Sequence, residues 1–438
     1  MSGTDKQTNS VATRRRSWGA LRHRNFKLFL AGQGISVIGT WMTRLAATWL
    51  VYRLTHSVWM LGVIGFAGQI VSFALGPVAG VWVERMERRR LLVWTQAAAS
   101  AQALALAVLA LTHVITLWEV LALTVVQGII NAFDMPARQS FLVQMVDDRN
   151  DLTNAIALNS LLANGARLIG PAIAGAVVAA AGEGWCFLVD GISYLAVIAS
   201  LLLMRIRPME ARTRVSSVMM EMREGWEYVR GHTPIRTILL LFALVSLLGY
   251  PFTVLLPAFA SDVLHGGART LGWLSGAAGV GTMISTLLLA SRKSVVGLPR
   301  VLRAATAMLG VAVIFFGLSH TLWLSMLLLA VVGFGLMQGA SASNTIIQSL
   351  VSEDKRARVM SYYTMAFFGG APFGSLLIGA LADRIGVQAA TVVTGACCLA
   401  GALWFGMHLR GVNAALHVHE AAHAVTLRDS ARNDEGKA

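Results

Sequence analysis

The sequence predicts an all-α membrane protein, with 12 transmembrane helices in two pseudo-symmetric six-helix bundles. Hydrophobic residues make up 56% of the chain and charged residues 13%, far from the composition of a soluble domain. Apolar runs of roughly 20 residues, the length that a helix needs to cross a bilayer, recur along the whole chain. Lys and Arg are concentrated in the tails and in every second loop between these runs.

The apolar runs define twelve segments. They are 27–50, 58–83, 91–112, 117–136, 155–180, 185–204, 237–261, 271–291, 301–319, 322–346, 359–382 and 387–409. The chain then divides into a basic N-terminal tail (1–26), an N-terminal bundle (27–204), a polar linker (205–236), a C-terminal bundle (237–409) and a C-terminal tail (410–438).

The distribution of positive charge predicts the orientation. The loops on one side hold only Arg53, Arg269 and Arg384, whereas the tails and the other loops are rich in Lys and Arg. Because positively charged loops resist translocation, both termini are predicted to be cytoplasmic, in a multi-pass protein of the cell inner membrane. This topology also accounts for the net charge of +14, so nucleic acid is not expected as a partner.

The linker between the two halves is predicted to contain an amphipathic helix. Val215, Val218, Met222, Trp226 and Val229 share one face at helical spacing. Such a helix is expected to lie along the cytoplasmic membrane surface.

The two halves of the chain look like copies of each other. Segment 4 contains Gln127-Gly128 and segment 10 contains Gln338-Gly339, while segments 5 and 11 carry Gly170-Pro171 and Ala371-Pro372. Repeats of this kind are typical of transporters in which two bundles rock about a site near the membrane midplane.

The loop between segments 2 and 3 carries a family motif. It reads Gly80-Val-Trp-Val-Glu84-Arg85-Met-Glu87-Arg88-Arg89. With it, the chain from about residue 20 to 410 resembles the major facilitator superfamily, in particular its proton-driven exporters, such as enterobactin exporters and macrolide efflux pumps. The resemblance implies export of a small molecule by alternating access, protons as the coupling ion, a monomer, and neither cofactor nor enzymatic activity.

The resemblance also implies a cytoplasmic gate at this loop. Glu84 would meet Arg85 or Arg88, and also the positive end of segment 11 near Arg358. The alternative is that the basic loop, which includes Gly80, only determines the orientation of the chain in the membrane and has no gating role.

Small residues and a proline in segment 5 resemble the antiporter motif of the same superfamily, and segment 11 carries a proline in the corresponding place. They allow close helix packing and bend the helix where a proline removes a backbone hydrogen bond. The set comprises Gly165, Gly170, Pro171, Gly175 and Pro372.

Four charged residues lie within the apolar segments, where a charge is costly unless it faces water or a partner. Arg44 and Arg167 are the cations, and Asp134 and Asp190 are the candidate proton carriers. The alternative for the acids is a structural ion pair, and Arg44 lies at a depth that suits Asp190.

Segments 4 and 10, which are expected to line the cavity, carry amide and hydroxyl groups. These groups could bind substrate or form hydrogen bonds across helices. They belong to Gln127, Asn131, Gln338, Ser341 and Asn344.

These observations favour a secondary transporter, and no GxxxxGK loop for ATP is present. Because Arg167 near the midplane needs an anion, the substrate is predicted to be amphiphilic and anionic, as a siderophore is, unless this arginine caps carbonyls near Pro171. A multidrug or macrolide pump is the alternative. A metallohydrolase built on His417, His419 and His423 is disfavoured, because the match to HExxH lies in a tail without a scaffold. The glycines of 276–281 are interpreted as a packing face.

Overall fold

The structure is a computed structural model that describes residues 19–146, 148–205, 218–290 and 297–435. At Pro77, Val81, Glu84, 149–150, 218–222, Ala290, Ala357 and 417–435 it describes the backbone alone. The predicted tail at 1–18 and the linker residues 206–217 therefore lie outside the described part of the chain.

The described residues form helices joined by short connections. The helices are α1 (Arg24–Thr55), α2 (Val58–Arg85), α3 (Arg88–Leu111), α4 (Leu117–Leu142), α5 (Arg149–Ala181), α6 (Glu183–Leu203), α7 (Val218–Gly231), α8 (Thr233–Leu244), α9 (Phe252–Ala258), α10 (Ala268–Ala290), α11 (Leu298–Gly317), α12 (Leu322–Leu350), α13 (Glu353–Ile385) and α14 (Val387–Glu435). Short 3-10 helices occupy Gly19–Arg22 and Val143–Met145.

Eleven spans within the described residues are long and apolar enough to cross a membrane. They correspond to predicted segments 2–12. Segment 1 is not among them, because α1 carries Gln33, Thr40 and Arg44 among its apolar residues. At 32 residues, or about 48 Å, α1 is nevertheless long enough.

The described residues separate into two compact units. The first contains 1–214, 254–279 and 320–326, and the second contains 215–253, 280–319 and 327–438. Each unit therefore combines residues from both halves of the sequence.

In the first unit, α1 runs antiparallel to α6 along its whole length. Asn25 exchanges hydrogen bonds with the backbone of Arg205 at one end, with distances of 2.8 and 3.1 Å. At the other end Arg53 Nε lies 2.9 Å from Glu183 Oε1. Between them, Gly32 contacts α6 so closely that a Cβ would lie 2.9 Å from the carbonyl oxygen of Ala196. Because Gly32 has no side chain, α1 and α6 pack backbone to backbone at this position.

Glycines also bring α3 against α6 and α2 against α4. Ser100 Oγ donates to the carbonyl of Gly191 on α6 at 2.7 Å, and Ser72 Oγ donates to the carbonyl of Gly128 on α4 at 2.7 Å. These hydrogen bonds satisfy hydroxyl groups that lipid would leave without partners.

A buried apolar cluster closes the end of the first unit at which α1 begins. Phe26, Phe141, Met145 and Leu201 are among its members, from α1, the end of α4 and α6. In the second unit, a comparable cluster contains Ile235, Ile347, Val351 and Phe405. Leu142 and Val351, which correspond in the internal repeat, occupy the two clusters. This correspondence is what a duplicated bundle predicts.

Segment 7 is not one continuous helix. After α8 the backbone forms a π-helical turn at Val245–Gly249, a turn at Tyr250 and Pro251, then α9 and a second π-helical turn at Phe259–Val263. Pro251 has no amide hydrogen to continue the helix, which explains the break. In the second unit, Ser246 Oγ donates to the carbonyl of Phe367 at 2.6 Å, so α13 satisfies part of the altered backbone region.

The linker helix α7 packs on the first turns of α13 in the second unit. Glu224 forms ion pairs with Arg358, at short range, and with Lys355, whose Nζ lies 3.9 Å from the carboxylate. Gly225 is buried against Tyr362, since a Cβ would lie 3.0 Å from its ring. Val229 is 3% exposed, in the apolar cluster. The side of α7 that carries Gly225 and Val229 therefore faces protein.

Removing the Glu224–Arg358 pair should loosen α7. A half-exposed ion pair contributes at most about 1 kcal/mol, so we expect Glu224→Gln and Arg358→Gln each to speed amide exchange in 223–231 about two- to fivefold. The double variant should exchange no faster than Glu224→Gln alone, because that substitution already removes the contact with Arg358. Arg223→Gln is the matched control, since Arg223 pairs with Glu227 on the exposed face of the same helix. Unchanged exchange in all three would show that the pair does not hold the helix.

Candidate functional site

Asp134, one of the two candidate proton carriers, lies on α4 and is 7% exposed. Both of its carboxylate oxygens accept hydrogen bonds from neighbouring side chains. Thr95 Oγ1 and Gln96 Nε2 donate to its Oδ1 at 2.9 and 2.7 Å. Arg138, one turn later on α4, donates to Oδ2 at short range. This arrangement neutralises and fixes the carboxylate, which favours the structural alternative for Asp134.

Asp190 is 1% exposed on α6 and lies in a different environment. A Cβ on Gly39 of α1 would lie 2.7 Å from its Oδ1, so the glycine makes room for the carboxyl group. The hydroxyls of Thr40, Thr43 and Ser193 are near. Oδ1 nevertheless forms no hydrogen bond with acceptable geometry within the described structure, and neither does Thr43 Oγ1. Among the described residues no cation pairs with this buried acid, which is a costly arrangement in a structural role.

Arg44 and Arg167 contact the same aromatic ring. The Arg44 Cζ lies 5.2 Å from the ring centroid of Trp41 on α1, and the Arg167 Cζ on α5 lies 5.5 Å from it. Gly170 on α5 leaves space for Trp41, since a Cβ there would lie 2.6 Å from the Trp41 Cβ. In the described part of the chain, neither arginine forms an ion pair with Asp190 or with another acid. We call Trp41, Arg44 and Arg167 the arginine cluster.

Helix α5 also meets α10 within the first unit, through the predicted helix-bending motif. A Cβ on Gly175 would lie 2.7 Å from the carbonyl oxygen of Ala268 and 2.9 Å from the Cα of Gly272. A Cβ on Gly272 would lie 2.7 Å from the carbonyl oxygen of Pro171. Backbone therefore contacts backbone, and neither glycine has room for a side chain. Gly165 lies on α5 before this contact.

The proline and a glycine of α13 serve a comparable contact in the second unit. Pro372 is buried, and Gly374 lies directly against the carbonyl of Leu247 and the ring of Pro251. A glycine on α13 is thus required where the helix passes the break in segment 7.

The predicted gate residues lie where α2 ends at Arg85 and α3 begins at Arg88. Arg85 is exposed and Arg88 is half-buried, and Gly80 faces open space. The side chain of Glu84 lies outside the described residues. Arg358, the predicted partner on segment 11, pairs with Glu224 of the linker. The latch therefore stays a prediction.

A neighbouring arginine that sequence reasoning missed has a clear structural role. Arg89 donates from Nε to the carbonyl of Leu201 and from Nη2 to that of Leu202, both at 2.7 Å. It thereby satisfies carbonyls at the end of α6 and fixes α3 to it.

The predicted amides pair mainly along their own helices. Gln127 Nε2 donates to Asn131 Oδ1 at 3.1 Å on α4, and Gln348 Nε2 donates to Asn344 Oδ1 at 2.8 Å on α12. Both pairs lie on exposed or half-buried positions.

Gln338 is different, because it is buried and bonded across helices. Ser285 Oγ on α10 donates to Gln338 Oε1 at 2.9 Å. Ser341 is half-buried, and its carbonyl accepts from Thr345. For Gln338 the interhelical alternative fits this geometry.

Tyr52 and Asp262, neither of which was singled out from the sequence, meet at the end of α1. The Tyr52 hydroxyl donates to the carboxylate of Asp262 at short range, within the first unit. Asp262 lies in the second π-helical turn. Only the long-range fold brings these residues together, so the sequence offered no local signal.

The described residues contain no group of three or more His, Cys, Asp or Glu side chains that could hold a metal ion. The side chains of His417, His419 and His423 lie outside this description.

Comparison with known protein families identifies the family to which this chain belongs. The sequence profile described as "Transmembrane secretion effector", of the major facilitator superfamily, matches residues 15–437. The chain belongs to this transmembrane secretion effector family. The predicted superfamily resemblance is thereby confirmed.

Members and relatives of the family include exporters of several compounds. The chain is 24% identical to the Staphyloferrin A transporter of Staphylococcus aureus, over 82% of this chain and 90% of that protein. It is 26% identical to the Multidrug efflux pump Tap of Mycolicibacterium fortuitum, over 82% of this chain and 88% of that protein. This transmembrane secretion effector is therefore a multi-pass membrane transporter of an exporter family.

A solved structure shares the fold. The bacterial homologue of the iron transporter ferroportin in its inward-facing state superposes with a TM-score of 0.66 and 17% identity, covering 89% of this chain and 98% of that chain. The likeness supports the transporter fold of the secretion effector and carries no information about its substrate.

Proposed function

We propose that this protein exports a small, amphiphilic, anionic molecule, of the kind that siderophores represent, from the cytoplasm across the inner membrane in exchange for protons. The observation that carries the proposal is Asp190, a buried acid without a cation beside a glycine that makes room for it. Asp134 is held by Arg138, so Asp190 is the better carrier of the coupling proton. Both termini are cytoplasmic in this proposal, and the transporter acts as a monomer.

The proposed transport cycle is alternating access of two six-helix bundles. Helix α1 provides the twelfth crossing, because it lies along the whole of α6, which is a candidate span. By the predicted topology, the Tyr52–Asp262 and Gly175–Ala268 contacts lie toward the outside. They would separate whenever the site opens outward, while Gly80, Glu84, Arg85, Arg88 and Arg358 act on the cytoplasmic side.

An efflux assay tests the substrate class. We expect cells that lack their own exporters, and express this protein, to release a catecholate siderophore faster than vector controls and to retain ethidium. A protein that moves ethidium and no siderophore would instead support the alternative, a multidrug pump. That alternative is favoured by the similarity to a multidrug efflux pump.

A further inference from the structure

Acidic side chains among the described residues do not balance the positive charge of the arginine cluster. Arg167 lies midway along the span Asp151–Ala181, and Arg44 lies in the second half of α1. Each cation is costly at such a depth unless it faces a water-filled space or an anion. Arg44 is exposed and Arg167 is half-buried, so both side chains remain reachable. Lipid tails cannot solvate them, and we infer that they face an aqueous cavity.

The nearby acids do not neutralise the cluster. Asp134 is paired with Arg138, and Glu183 is paired with Arg53. Asp190 lies against Gly39, on the face of α1 that packs on α6. Arg44 is five residues further along α1, which rotates its direction by about 140° from that of Gly39. The arginine therefore lies beside α5 and Trp41 rather than beside Asp190.

Trp41 holds the two guanidinium groups without quenching their charge. A cation–π contact orients a guanidinium over the ring and leaves its N–H donors free at the edge. Because the two Cζ atoms lie 5.2 and 5.5 Å from one ring centroid, they are at most about 11 Å apart, a span that the several polar groups of one small ligand can bridge. The position of Trp41 is itself fixed, since its Cβ packs directly against Gly170.

We propose that the arginine cluster is the binding site for a carboxylate group of the transported molecule. A carboxylate offers two oxygen atoms at the spacing of the guanidinium fork, and two arginines can bind it from two helices, α1 and α5. The site selects carboxylic acids over neutral or cationic compounds. The proposal rests on the proposed transport function, because the ligand is the cargo.

Equilibrium binding tests the site apart from transport. The probes are 2,3-dihydroxybenzoate and its neutral amide, 2,3-dihydroxybenzamide, measured by calorimetry on the full chain in phosphatidylcholine nanodiscs. We expect wild type to bind the acid at least about tenfold more tightly than the amide, and Arg44→Gln or Arg167→Gln to remove that preference. Trp41→Ala should weaken acid binding, and Trp41→Phe should restore part of it. Arg384→Gln, at an exposed arginine in the last turn of α13, is the matched control.

The outcomes separate this proposal from the transport proposal. Equal affinity for acid and amide in folded wild type would overturn the site, whatever the efflux assay shows. A preference for the acid that depends on both arginines supports the site even if no export is detected. Adding phosphatidylglycerol to the nanodiscs tests for a lipid occupant. If it abolishes acid binding, and this effect requires Arg44 and Arg167, the occupant is a lipid headgroup and the assignment to cargo is overturned. Thermal unfolding of each variant is the control that distinguishes a loss of binding from a loss of the folded structure.

Discussion

Asp190→Asn should abolish proton-driven efflux, reducing it to the level of the vector control, without destabilising the protein. The substitution preserves the shape of a side chain that Gly39 just accommodates and removes the carboxyl group that is proposed to carry the proton. It also removes a buried acid that no cation balances, so the midpoint of thermal unfolding should stay constant or rise. Efflux in cells and unfolding in detergent measure the two effects.

Asp134→Asn is the matched comparison. It leaves Arg138 without its carboxylate partner, and the loss of such a hydrogen-bonded pair costs about 1–3 kcal/mol. We expect a lower unfolding midpoint with coupling retained in the protein that folds. The opposite pattern, in which Asp134→Asn uncouples and Asp190→Asn only destabilises, would assign the proton to Asp134.

Gly175→Leu should also abolish efflux, for a steric reason. The new side chain would collide with the backbone of Ala268 and Gly272, which cannot move aside as a flexible side chain could. Overpacking of this kind typically costs about 1–3 kcal/mol, and here it also separates α5 from α10. We expect a lower unfolding midpoint and efflux near background.

Gly411→Leu on α14 is the control for this substitution, because a Cβ there meets nothing within 4 Å. It should leave both stability and efflux unchanged. If Gly175→Leu behaves like Gly411→Leu, the close contact of α5 with α10 is not needed for transport.

Segments 2–12 were predictable because their signal is local, the length and apolarity of each run. The polar residues of α1 lowered that signal without preventing the helix, whose partner α6 supplies the packing. The break in segment 7 had a visible signal in Gly249, Tyr250 and Pro251, but apolarity alone marks the segment as continuous. The domain boundaries at 204 and 237 remain a prediction.

The candidate residues could be listed from the sequence, but the contacts among them could not. The Asp134–Arg138 contact follows from the i, i+4 spacing and could have been foreseen. The suggested pairing of Arg44 with Asp190 used their common depth and ignored their direction around the helix. The meeting of Arg167 with Trp41, and of Tyr52 with Asp262, depends on which helices become neighbours, which no local pattern encodes.

The central claim is exchange of substrate for protons, and lumenal pH in reconstituted vesicles tests it most directly. Vesicles with a pH-sensitive dye inside, and their membrane potential clamped, receive the exported compound from outside. The account predicts that downhill entry of the compound makes the lumen more alkaline in wild type, because protons leave in exchange, and that Asp190→Asn vesicles show no such change. Uptake by wild type with no alkaline shift beyond that of protein-free vesicles would contradict it.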